Sequence, residues 1–304
     1  MQRPTSHKYE KGSILELFVS FLSVNERSPD LAELVGHMMG DGHLGRAYCY
    51  ITLRPEDCET HQELFSQFGV RSKIQTFPHC DVVVRIVVCD TQFCKWLRAC
   101  GAPQGNKVEQ PFLVPNWIRN APSETKARFL QAMISDEGET PKMVSTRKCS
   151  GMHFAMCKNP SLIFNHLQFM QQLRSMLSDF EVSTTPLMTR KVRPSNFATQ
   201  SCVSGFLILP NRINMLRYFT SVGFCYDKKQ QQMNDCMAKI SAALGHELDQ
   251  FDRHQRALDL YETTEMGYGR IARNLGTGKM TIKHWVQGSR HPKLSDDDFR
   301  WFSA

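Results

Sequence analysis

Apolar residues recur at helical spacing in two separated stretches of this chain, and after each stretch they alternate at strand spacing. Leu31, Leu34, Val35 and Met38 line one face of a helix that Ser28 can cap, with Pro29 in its first turn and Asp30 near the positive end of its dipole. Gly36 and Gly40 lie one turn apart, where the missing Cβ atoms let a facing backbone approach. Gly42 stops the helix, which leaves Asp41 at its negative end. A second stretch repeats the arrangement. Ser123 opens it, Phe129, Leu130, Met133 and Ile134 are its apolar positions, Ala132 is small, and Glu137 precedes Gly138.

The elements between and after these helices follow one order twice. Ala47 to Leu53 alternates faces, with Tyr48, Tyr50 and Thr52 opposite Ala47, Cys49, Ile51 and Leu53, which predicts a half-buried strand. A helix over Cys58 to Phe68, a hairpin of Arg71 to Phe77 and Val82 to Cys89, and a helix over Thr91 to Cys100 follow. In the second half come strands near Met143 to Thr146 and Met152 to Cys157, a helix from Pro160 to Ser178, strands near Ser183 to Lys191 and Gln200 to Leu209, and a helix from Asn211 to Val222. The helix exits match too, Phe68-Gly69-Val70 against Phe180-Glu181-Val182. The order predicts an α+β fold, a duplicated αββαββα unit with two antiparallel saddle sheets.

The chain then divides as an N-terminal extension (1–27, with a helix over Ile14 to Leu22), a first repeat and linker (28–115), a second repeat (116–225), a helical linker (226–254) and a C-terminal module (255–304). That last segment reads as two short helices around a turn at Gly276-Thr277. Ile271, Ala272, Leu275, Ile282 and Trp285 hold them together, and Thr277, Lys279, Met280, Thr281 and Lys283 face outward. It resembles a helix-turn-helix, which would place those outward residues in a DNA groove.

Charge adds a partner to this picture. A formal charge of +7 and a pI near 8.8 favour a polyanion. Tyr48, Tyr50, Thr52, Lys73, Gln75 and Arg85 are candidate contacts to double-stranded DNA on the first saddle half, and His153, Arg190, Lys191, Arg193 and Gln200 on the second. The 11 cysteines include no CxxC pair, and Cys89, Cys94 and Cys100 lack a nearby fourth ligand, so they read as reduced thiols. Without a secretory signal or a membrane-spanning run, the chain is expected in the cytoplasm or wherever its host keeps DNA.

If the two glycine-stopped helices pack side by side, Asp41 and Glu137 meet at two negative helix ends, and divalent cations would relieve their repulsion. Oxygen ligands and retained waters suit Mg2+, or Mn2+ in its place, and the implied chemistry is phosphodiester hydrolysis. The stretches Leu34 to Gly42 (LVGHMMGDG) and Leu130 to Gly138 (LQAMISDEG) resemble the two motifs of the double-motif, monomeric, archaeal-type LAGLIDADG homing endonucleases. The resemblance covers roughly residues 28 to 224. It implies a monomer with internal pseudo-two-fold symmetry that cuts both DNA strands, with Asp41 and Glu137 holding metal and the preceding Gly40 and Asp136 counted with that site.

One basic residue per half is implied as well, and by position after the first strand of each repeat these are Arg54 and Lys158, with Lys107 or Lys142 as substitutes. Two departures stand out. Arg54 replaces the usual lysine and cannot accept a proton at neutral pH, which would slow one strand's cleavage. Asp136 stands where the family has a small residue, and its charge is expected to loosen the helix contact or mark its rim. The alternative is a regulator with a LAGLIDADG domain and a helix-turn-helix, although such regulators have lost both acids; an intron maturase is a third role. Self-splicing is not expected, since Met1 and Phe302-Ser303-Ala304 are not the terminal residues that splicing needs.

Overall fold

Helix α1 (Ser28–Met39) buries Leu31, Leu34, Val35 and Met38 against helix α5 (Ser123–Glu137), which answers with Phe129, Leu130, Met133 and Ile134. Each such side chain contributes about 1.5–3 kcal/mol on leaving water, so this contact sets the centre of the molecule. The chain is seen here in a computed structural model that describes residues 28–78, 80–145, 147–191 and 201–292, with 294 and 298. The expected helix over Ile14 to Leu22, together with Arg193 and Gln200, lies outside the described residues.

The first repeat continues with β1 (His43–Leu44), β2 (Cys49–Leu53), α2 (Cys58–Ser66), β3 (Ser72–Phe77), β4 (Cys80–Val88) and α3 (Thr91–Ala99). Its antiparallel sheet runs β1-β2-β4-β3. Period-two alternation fixes the register: Cys49, Ile51 and Leu53 point into the core with Val84, Ile86 and Val88, and Tyr50 and Thr52 point out.

After the short α4 (Asn116–Arg119) and α5, the second repeat has a hairpin of β5 (Met143–Ser145) and β6 (Lys148–Cys149), then β7 (Met152–Lys158), α6 (Ile163–Ser178), β8 (Met188–Lys191), β9 (Cys202–Ile208) and α7 (Arg212–Ser221). Its main sheet runs β7-β9-β8, and Gly138 bridges Phe154 where the first repeat has β1 on β2. The β5-β6 hairpin is thus an insertion into an otherwise repeated αββαββα order.

Backbone geometry repeats as well. Gly69 and Glu181, at the matched helix exits, both adopt left-handed φ values of 70° and 56°. Each donates its N–H at 2.9 Å to the carbonyl three residues earlier, on Ser66 and Ser178. Gly101 and Gly223, just past α3 and α7, are left-handed too, at 103° and 67°.

Helix α8 (Asp227–Thr263) crosses the expected boundary at 254 without a break. Its first half packs on the repeats through Met233, Met237, Ile240 and Leu244. Its second half gives Ala257 to a separate small core with Ile271, Ala272 and Leu275, Ile282 and Trp285, the last five from α9 (Tyr268–Asn274), the turn and α10 (Lys279–Val286). No helix among the described residues is long and apolar enough to cross a membrane.

Candidate active site

The two motif helices touch through residues without bulk. A Cβ on Gly36 would stand 2.8 Å from Ala132 Cβ and 2.9 Å from the Phe129 carbonyl oxygen. A Cβ on Gly40 would run into the Asp136 side chain, so Gly40 makes the room that Asp136 fills. This corrects the expectation that Asp136 loosens the contact or lies at its rim. Its carboxylate is fully enclosed at the crossing, accepting from the Asp41 backbone N–H at 3.0 Å, the Tyr226 hydroxyl at 2.5 Å and His37 Nδ1 at 3.1 Å. Burial opposes its charge, but positive charge at the His37 ring and these donors hold its pKa below the ordinary value.

Asp41 and Glu137 follow directly at the two helix ends. Burial first and then Asp41 push the Glu137 carboxyl up to about 7, and burial and then Asp136 push Asp41 up to about 6. Three carboxylates thus crowd two helix C-termini, an arrangement that cations stabilise.

Two lysines approach them in a pseudo-symmetric way. Lys107 Nζ donates to the Gly42 carbonyl at 2.8 Å, and Lys229 Nζ to the Gly138 carbonyl at 2.8 Å and to that of Ser135 at 2.5 Å. Each therefore caps the glycine that follows one acid. Burial lowers the pKa of both, against the pull of Glu137, then Asp136 and Asp41, on Lys107 and of Asp136, then Asp41, on Lys229. The sequence pattern offers Lys107 only as a substitute, and it marks Lys228-Lys229 as the end of the second repeat without giving Lys229 a role in the site. The readable signal is a Gly-x5-Lys spacing in Gly101 to Lys107 and Gly223 to Lys229, after the last helix of each repeat.

Arg54 lines a cleft of about 380 Å3 with Asp41, Thr52, Asp136 and Lys229. Lys158 is not brought to the acids. Its ammonium is buried, donates to the Lys107 carbonyl at 2.6 Å and lies 3.6 Å from the Phe112 ring centre, and burial lowers its pKa to about 8. The register explains why. Extending β1 by one residue sets Gly42 opposite Ile51, as Gly138 sits opposite Phe154, so the counterpart of Arg54 is the exposed Cys157. Lys158 falls one residue further, on the core face of β7 with Phe154 and Met156. Lys142 follows the Glu137 helix and donates its backbone N–H to Ser150 Oγ at 3.0 Å.

The two sheets present different outer faces. On the first, Tyr50, Val87 and Lys73 form one cross-strand row and Thr52, Arg85 and Gln75 the next. The Arg85 guanidinium lies 4.3 Å over the Tyr50 ring, and His43 stacks on Tyr50 and Tyr48 at 5.1 and 5.7 Å. On the second, the rows are Cys157, Val203 and Arg190, then Ala155, Gly205 and Met188, then His153 and Leu207. His153 and Arg190 share that face with small and apolar neighbours. Lys191 ends β8. In the C-terminal module Lys279 and Met280 are exposed at the start of α10, with Thr277, Thr281 and Lys283 partly so.

No family model matches the chain. It is 25% identical over 252 residues to the tRNA-splicing ligase RtcB of Methanopyrus kandleri, a match covering 77% of this chain and 25% of that protein. It is 24% identical over 230 residues to the DNA-directed RNA polymerase subunit Rpo1N of Methanocaldococcus jannaschii (69% and 17%), and 21% identical over 217 residues to the replication factor C small subunit of the same organism (67% and 11%). The chain thus spans a quarter or less of these relatives. Among solved structures, it is similar to the homing endonuclease I-DmoI in complex with DNA and Mn, at 16% identity and a TM-score of 0.40, over 64% of this chain and 96% of that one. It is also similar to full-length DUF199/WhiA from Thermatoga maritima, at 11% identity and a TM-score of 0.41, over 88% and 94%.

Proposed function

We propose that the chain is a site-specific, metal-dependent endonuclease that hydrolyses both strands of double-stranded DNA. The observation that carries this reading is the meeting of Asp41 and Glu137 at two packed helix ends, each followed by a glycine whose carbonyl receives a lysine. The donor set fits a hard divalent cation: oxygen ligands whose pKa values are raised by burial first and then by a neighbouring carboxylate, Asp136 for Asp41 and Asp41 for Glu137. Bound there, Mg2+ or Mn2+ would neutralise the carboxylates and polarise a phosphodiester. Lys107 and Lys229 set positive charge beside the scissile phosphates and orient water. With pKa values below that of a solvated lysine, they exchange protons closer to neutrality. Arg54 adds a fixed charge from the first repeat only.

The outer face of the first sheet and the basic start of α10 supply DNA contacts, with Arg270, Arg273 and Lys279 around a second cleft in the tail. The matches to relatives support a mobile origin. Two thirds or more of this one chain resembles a minor part of a ligase, of a polymerase subunit and of a replication factor, as a transposable insert would. One observation favours the alternative, a DNA-binding regulator that cuts poorly: Cys157 stands at the counterpart of Arg54, so the first strand of the second repeat offers no cation there.

Incubating the intact chain with a randomised duplex library and Mg2+, then sequencing the new ends, separates the two. The endonuclease reading expects paired cuts within one long target. Enrichment of a bound sequence without any cutting would leave the regulator.

A further inference from the structure

Beneath the catalytic carboxylates, Glu33 and His37 of α1, His61 of α2 and Cys225 after α7 bring four donor atoms within 4.8 Å of one another. Glu33, His37 and His61 are buried and Cys225 is partly so. We propose that these four side chains form a structural zinc site that ties the first repeat to the segment following the second.

The hydrogen bonds orient both rings for it. His61 Nδ1 donates to the Asp57 carbonyl at 2.8 Å, since a carbonyl can only accept, and His37 Nδ1 faces the Asp136 carboxylate at 3.1 and 3.2 Å. A carboxylate or carbonyl on one ring nitrogen is the usual support of a metal-bound histidine, and it frees the other nitrogen to ligate. The two Nε2 atoms then point at each other, 3.2 Å apart. Two lone pairs at that distance require a cation between them, which is either a proton or a metal ion.

The remaining donors favour the metal. Cys225 Sγ lies 3.7 Å and Glu33 Oε1 4.0 Å from His37 Nε2, while Glu33 Oε2 is held by Arg128 at 3.0 Å, which leaves Oε1 to ligate alone. Four ligands at zinc bond lengths of about 2.0–2.3 Å stand roughly 3.3–3.7 Å apart in a tetrahedron, so only small movements close the shell. Two imidazoles, a thiolate and a carboxylate suit zinc rather than the hard cation of the acidic pair. The site would also fix the catalytic end, because Asp136, which holds His37, accepts the Asp41 backbone N–H.

The test uses the untagged full chain, purified without chelators. It is expected to carry about one zinc per chain by elemental analysis. Cobalt(II) exchanged into it should give tetrahedral visible absorption and a thiolate-to-cobalt charge-transfer band. Cys225→Ser should lose that band and His61→Ala most of the metal, while Glu137→Gln keeps both, which separates this site from the acidic pair. The spectrum of the intact chain decides the matter even where a variant fails to fold. Failure of the intact chain to take up zinc or cobalt would overturn the proposal and leave a proton on His37 as the bridge. Cobalt bound without the thiolate band would overturn it equally.

Discussion

Glu137 holds its proton toward neutrality because its carboxyl is withdrawn from water and feels the charge of Asp41. In the metal-free chain its carbon-13 carboxyl signal should titrate near 7, and Asp41→Asn should move the midpoint downward, part of the way to the ordinary 4.5. The direction follows from removing a like charge while burial persists. An unchanged midpoint would show that the two acids do not feel each other. Residues of this kind are legible in sequence because helix, carboxylate and glycine stand in a row. Asp136 is not, for a reason of space: nothing in the linear pattern shows that Gly40 vacates the volume it occupies, or that His37 and Tyr226 receive its charge. Lys158 differs from its expected place by a single residue of register, enough to turn a side chain from the site to the core.

At the scale of elements, the α1–α5 crossing depends on the absence of atoms. Gly36→Val would press a branched side chain into Ala132 and the Phe129 carbonyl, and should cost about 1–3 kcal/mol in urea unfolding. Gly245→Ala makes the opposite case. That glycine lies inside α8 with open space around it, so alanine should stabilise the chain by about 0.5–1 kcal/mol. Equal effects of both substitutions would contradict close helix contact. The element order is legible because strand alternation and helix exits are local, as the paired left-handed Gly69 and Glu181 show. The β5-β6 insertion blurs the second repeat, and the unbroken α8 looks like two segments in sequence because its polarity changes along its length while its backbone does not.

Across the whole molecule, two cores share α8, and the tail core carries its own cationic surface. If α10 enters a groove, Lys279→Ala with Lys283→Ala should weaken binding to a long duplex. The slope of log affinity against log salt should fall by about 2, since each neutralised phosphate contributes roughly 0.9 to it. An unchanged slope would take α10 off the DNA. The buried cluster of Glu33, His37, His61 and Cys225 is a property of this scale too. Only Glu33 and His37, four residues apart on one helix, announce it in sequence, while His61 and Cys225 reach it through the tertiary fold.

The most direct test of the account takes the duplex recovered from the library and compares the intact chain with Asp41→Asn and Glu137→Gln in Mg2+. Specific binding is expected of all three proteins and double-strand cutting of the intact chain alone, with either substitution lowering the cutting rate by orders of magnitude. Cutting that survives both substitutions would contradict the two-carboxylate site.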